Sequence, residues 1–109
     1  MLLDFSQMPD TVIPCFYGGE KEISARMFAD PANRIMYSTL VPGASIGLHT
    51  HETGSEILYI LKGTGTALFD DGTEALSPGI CHYCPKGHSH ALINNGDEDL
   101  IFFAVVPQQ

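Results

Sequence analysis

Five histidines occupy this chain of 109 residues, and all of them fall between positions 49 and 90: His49, His51, His82, His88 and His90. Imidazole is the commonest protein ligand for transition metals, so such clustering points to metal chemistry. His49 and His51 stand two apart. On a β-strand that spacing puts both rings on one face, with Cα atoms about 6–7 Å apart, close enough to serve one ion. Glu52 follows directly and would face the other way. Glu56 comes after the short loop Glu52-Thr53-Gly54-Ser55. That loop resets the alternation and can return a carboxylate to the histidine face. His90 comes from later in the chain, past a turn at 85–87. Three imidazoles and a carboxylate form an N/O donor set that suits Mn, Fe, Ni, Co or Zn, and affinity order alone does not choose among them. A divalent ion would keep a net charge of about +1 there and, in octahedral geometry, two positions open to a ligand. Without an ion the same four groups would leave buried polar atoms poorly satisfied.

Short strands must hold these donors. No stretch carries apolar residues at helical spacing over three turns. β-Branched and aromatic residues dominate the apolar runs, and turn residues recur about every 8–12 positions, the pattern of an all-β sandwich or barrel. Strands are expected at 22–28, 35–41, 45–51, 56–61, 64–69, 73–76, 80–84, 89–93 and 100–106. Asp70-Asp71-Gly72 and Asn94-Asn95-Gly96-Asp97 mark tight turns between them. Residues 1–20, broken by Pro9, Pro14 and Gly18-Gly19, read as an irregular segment, and 21–109 as one barrel. Two runs, Ile57-Leu58-Tyr59-Ile60-Leu61 and Ile101-Phe102-Phe103-Ala104-Val105-Val106, are apolar at every position. Both faces of such strands want cover, and a barrel this short covers only the inner one. The outer face is expected to meet residues 1–20 or a second copy, and a homodimer is the expectation.

At this point the chain resembles a known family. It looks like a small single-domain cupin of the conserved-barrel type. That family's first motif, G-x5-H-x-H-x3,4-E-x6-G, is matched by Gly43, His49, His51, Glu56 and Gly63. The second, G-x5-P-x-G-x2-H-x3-N, is matched by Gly79, Pro85, Gly87, His90 and Asn94. Residues 64–78 separate the two, a short spacer like those of small cupins. The resemblance implies a double-stranded β-helix, a jelly-roll barrel. It also implies one metal ion, Mn, Fe, Ni or Zn, held by His49, His51, Glu56 and His90. The other signature positions serve the fold. Gly63 and Gly79 supply φ > 0 at strand ends, Pro85 fixes a turn, and Asn94 heads one.

The remaining candidates are more open. His82, between Cys81 and Cys84, is an acid/base candidate if it faces inward, and an outer hydrogen-bonded residue if not. His88 either stands near the ion or is an exposed loop residue. Cys81-His82-Tyr83-Cys84 contains C-x2-C, but within a strand and without a second half-site, so the cysteines read as small apolar fillers. Met36, Tyr37, Tyr59 and Phe103 are candidates for lining the lumen. Arg26 and Arg34 are candidate anchors for a carboxylate ligand. Arg26 alternates with Ile23, Ala25 and Met27 and is expected outside if that trio lines the barrel.

Composition excludes several functions. Asp and Glu number 13 against 5 Lys and Arg, a formal charge of −8. Five scattered cations do not make a surface for nucleic acid or anionic lipid. No apolar run is long enough to span a bilayer, and the first residues lack a secretory-signal pattern, so the cytosol is the expected compartment. The odd cysteine count does not indicate a disulfide framework. Two function classes stay open. One is an enzyme whose ion binds a small oxygen-bearing substrate; the resemblance implies dioxygenase, decarboxylase (of acids such as oxalate), isomerase or lyase chemistry. The other is a metal-dependent module that binds or senses a small molecule without turnover. The enzyme is preferred because 109 residues leave little room for an effector domain. Ligand imidazoles must be neutral, so metal binding should weaken below about pH 6.5.

Overall fold

The computed structural model describes residues 1–109. Ten strands follow in order: β1 (Thr11–Pro14), β2 (Glu22–Ala29), β3 (Asn33–Leu40), β4 (Ser45–Thr50), β5 (Glu56–Lys62), β6 (Gly65–Phe69), β7 (Gly72–Leu76), β8 (Cys81–Cys84), β9 (Ser89–Ile93) and β10 (Leu100–Pro107). A six-stranded sheet runs β1-β2-β3-β10-β5-β8, and a four-stranded sheet runs β4-β9-β6-β7. Every pairing is antiparallel. The two sheets close a jelly-roll barrel over one core, in which Leu40, Leu58, Ile60, Leu100 and Phe102 of the larger sheet meet Ile46, Ala67 and Leu92 of the smaller.

The strands at 22 and beyond lie where alternation and turn chemistry put them. The expectation for residues 1–20 is corrected: they are not wholly irregular, because Thr11–Pro14 pairs with β2. Pro14 masks this strand in the sequence. It is tolerated because β1 is an edge strand, where a missing N–H costs no central ladder bond.

The two fully apolar runs become strands with opposite duties on alternate residues. Leu58 and Ile60 of β5, and Leu100, Phe102 and Ala104 of β10, point into the core. Their neighbours point out. Phe103 is capped by Phe5, whose ring meets it edge-on at 6.0 Å and lies 6.4 Å from Tyr37. Residues before β1 therefore cover part of the outer face of their own barrel. Farther along the sheet Ile57, Tyr59, Leu61 and Tyr83 remain exposed.

Asn94 ties the barrel's far end. Its buried side-chain amide donates to the carbonyls of Leu40 (2.7 Å) and Glu98 (2.9 Å), and its oxygen accepts from the Gly96 N–H. Gly63 turns at φ +83° against the Asp99 carbonyl, where any Cβ would overlap that oxygen.

Candidate metal centre

His49 faces the barrel interior because β4 breaks its own alternation. Ile46 pairs with Leu92 and His49 with His90, so β4 uses one residue more than β9 between the two pairs. The extra residue is a β-bulge at Gly47-Leu48. Leu48, which strict alternation from Ile46 would bury, is 63% exposed, and His49 turns inward in its place. The chain preceding β2 packs against this bulge. A Cβ on Gly47 would overlap the carbonyl of Tyr17.

His51 lies just past β4 and is fixed by backbone bonds to the 85–88 turn. Its N–H donates to the His88 carbonyl and its own carbonyl accepts from Gly87 N–H. Glu56 opens β5, paired with Cys84, and His90 sits on β9 opposite His49. Loop, bulge and cross-strand pairing thus gather four donors from three strands and one loop.

The donor atoms converge. His51 Nε2 lies 3.0 Å from His90 Nε2 and 3.1 Å from Glu56 Oε1; His90 Nε2 lies 3.1 Å from His49 Nε2 and 2.9 Å from Glu56 Oε1. All four atoms fall within 4.8 Å of one another. Adjacent donors about 2.1 Å from one ion stand about 3.0 Å apart in octahedral geometry and about 3.4 Å in tetrahedral. The observed spacing fits adjacent octahedral positions. Tautomers agree with ligation: the Nδ1–H of His49 donates to the Gly47 carbonyl at 2.8 Å, which leaves Nε2 bare toward the site. This donor set can hold a divalent transition metal.

Electrostatics point the same way. Burial lowers the pKa of His49, outweighing its bond to Gly47, so the ring is neutral and ready to coordinate near pH 7. Burial alone would raise Glu56, but hydrogen bonds from His51 and His90 outweigh it and hold the carboxyl at about 2.

An open cavity of about 460 Å³ leads from the surface to His49, His51 and Glu56. Tyr17, Met36 and Arg34 line it. The Tyr17 ring stacks on His49 with centroids 4.0 Å apart and planes within 9°. Tyr17 (φ +53°) and Cys15 (φ +49°) both sit in the left-handed region, a strain concentrated where the first segment meets the site. Sequence reasoning missed Tyr17; the neighbouring Gly18-Gly19 signalled only a turn.

Other candidates fall elsewhere. His82 is buried inside the barrel but behind His90, outside the cavity lining. His88 points away, half-exposed, paired with Asp70 at 2.8 Å and stacked on Phe69. Of the four expected lumen residues only Met36 reaches the cavity; Tyr37, Tyr59 and Phe103 alternate to the outer face. Arg26 lies outside, donating to Asp10 and to the Phe5 carbonyl, while Ile23 and Ala25 are buried. Cys81 is exposed and Cys84 buried on opposite faces of β8, so they share no site. Burial pushes the Cys84 thiol up to about 11, which leaves it an unreactive filler.

Comparison with known proteins agrees with this geometry. The family described as "Cupin domain" matches residues 36–106. An oxalate-binding protein from Thermotoga maritima is 33% identical over 113 aligned positions, covering 97% of this chain and 93% of that protein. The crystal structure of a predicted oxalate decarboxylase from Thermotoga maritima superposes with a TM-score of 0.94 at 30% identity, covering all of both chains. A polyketide cyclase from Streptomyces resistomycificus shares the fold at a TM-score of 0.83 and 21% identity, covering all of this chain and 80% of that one. On the match to residues 36–106 and the full-length likeness to the Thermotoga protein, this chain belongs to the cupin family.

Proposed function

We propose that this protein binds a small carboxylate of the oxalate class at a divalent metal ion held by His49, His51, Glu56 and His90. The observation that carries the reading is the convergence of three Nε2 atoms and one carboxylate oxygen at the inner end of an open cavity. The names of two similar proteins, an oxalate-binding protein and a predicted oxalate decarboxylase, supply the ligand class. Mn, Fe, Ni or Zn suits the donor set, and such an ion supplies positive charge and Lewis acidity to a chelating oxygen ligand.

Charge makes metal dependence a requirement. The chain carries −8, and Asp30 and Glu52 also line the cavity. A dianion enters only where cationic groups offset that field. Arg34 lines the cavity and pairs with no carboxylate, so its guanidinium is free to take the outer end of the ligand. Tyr17, stacked on His49, also lines the cavity.

An enzyme acting on the same acid is the second reading. It draws on Tyr17, Asp30 and Glu52, the groups of the cavity lining outside the donor set that can carry a proton. Recovery of bound oxalate intact after prolonged incubation with the metal-loaded protein supports binding; release of formate and carbon dioxide supports turnover. We place the protein in the cytosol, in keeping with three unpaired cysteines.

Calorimetric titration of oxalate tests the proposal. The metal-loaded protein should bind one oxalate per chain and the metal-free protein none. Arg34→Gln should weaken binding about 10-fold or more, the loss of a charge-assisted contact. Equal affinity with and without metal would overturn the reading.

A further inference from the structure

His82 is an interior histidine without a direct part in the site, and its surroundings give it one. Its Nε2 lies 3.0 Å from His90 Nδ1, on the far side of the His90 ring from the donor cluster. Its Nδ1 lies 2.7 Å from Glu74 Oε1. His82 and His90 are both buried and their rings lie nearly parallel, within 13°. Phe69 closes on His82 edge-first at 5.9 Å. Glu74, on β7, is half-exposed at 50%. β7 and β8 are edge strands of different sheets, so the Glu74–His82 bond also crosses the seam of the barrel.

We infer that Glu74 and His82 are positioning residues for the metal centre, joined to it as a one-directional chain of hydrogen bonds through His90. The inference rests on the metal site proposed above. The proton bookkeeping leaves one arrangement for neutral rings. Coordination through Nε2 puts the hydrogen of His90 on Nδ1. That N–H donates to His82 Nε2, which must be bare. The hydrogen of His82 then sits on Nδ1 and donates to the Glu74 carboxylate, an acceptor only. Each bond orients the next, and the surface carboxylate polarises the chain so that His90 becomes a stronger donor to the ion. His49 reaches the same end with a backbone carbonyl. His90 has a side-chain chain instead, which substitution can cut.

Zinc alone is the probe, added to the full-length metal-free protein and measured by competition with a chromophoric chelator. His82→Phe keeps a ring in place but removes the acceptor, and should weaken zinc binding about 10–100-fold. Glu74→Ala, at an exposed position, should weaken it about 10-fold, and Glu74→Gln less. His82→Gln restores an acceptor toward His90 and should recover most of the loss. A role in folding alone would lower melting temperature without separating His82→Gln from His82→Phe in zinc affinity. Long-range ¹H–¹⁵N correlation of the zinc-loaded, histidine-labelled protein should find both His82 and His90 protonated at Nδ1 and bare at Nε2. An Nε2–H tautomer at His82, or wild-type affinity in both His82→Phe and Glu74→Ala, overturns the chain while leaving the site intact. Failure of the unaltered protein to take up zinc overturns the site and the chain together.

Discussion

Glu56 and His49 give the fold a dependence on acid that is readable from single side chains. The carboxyl of Glu56 is held at about 2 in the folded protein against an ordinary 4.5. Between those values the unfolded chain binds more protons than the folded one, so stability rises with pH across the window. The contribution is complete above pH 4.5 and is lost as pH falls toward 2. His49 is lowered from 6.5 by burial, so the unfolded chain again protonates first on the way down. The signs agree. Thermal melts of the metal-free protein should show stability falling from pH 7 to pH 3, with Glu56 contributing on the order of 3 kcal/mol at full effect. Glu56→Gln should flatten the part between pH 4.5 and 2; an unchanged profile in that variant would refute the assignment. At this scale the four clustered donors were legible from spacing, because two-residue alternation and motif offsets are local facts. Glu74 was not, since its partner His82 lies on an edge strand of the other sheet.

The bulge in β4 is the element on which the site turns. His49 and His51 share a face under any strand reading, but which face depends on the extra residue at Gly47-Leu48. Nothing local to the sequence specifies it. It is set where the chain before β2 brings the Tyr17 carbonyl against Gly47. Gly47→Ala must move one of those backbones. It should destabilise the protein by about 1–3 kcal/mol and weaken metal binding, because His49 is two residues away. Gly72→Ala is the control: its added methyl meets only ordinary contact with Phe69. Denaturant melts and metal titration on both variants check this, and an equal effect at the two positions would contradict it. The same distance between local signal and tertiary cause explains β1. Thr11-Val12-Ile13 is β-branched throughout, but a run that short ending in Pro14 does not declare a strand alone, and pairing with the edge of β2 completes it.

Across the whole molecule, the outer face of the six-stranded sheet is covered unevenly. Phe5 shields Tyr37 and Phe103, while Ile57, Tyr59, Leu61 and Tyr83 stay exposed toward the β8 edge. The uniformly apolar run 57–61 announced a need for cover, and alternation alone could not say which end of the sheet the first segment would serve. We propose that a second copy covers the rest. Light scattering should then give twice the 11.8 kDa chain mass, and Tyr59→Lys should return the monomer; a wild-type monomer at all working concentrations would refute the dimer. The cavity and its donors lie inside the barrel, and the central claim is that these donors grip one cation. Metal K-edge X-ray absorption on the full chain loaded with zinc tests it most directly. The account predicts one ion per chain, with three imidazole nitrogens and a carboxylate oxygen at about 2.0–2.2 Å, and loss of that sphere in His90→Ala. A protein that retains no stoichiometric ion, or an ion without histidine around it, would contradict it.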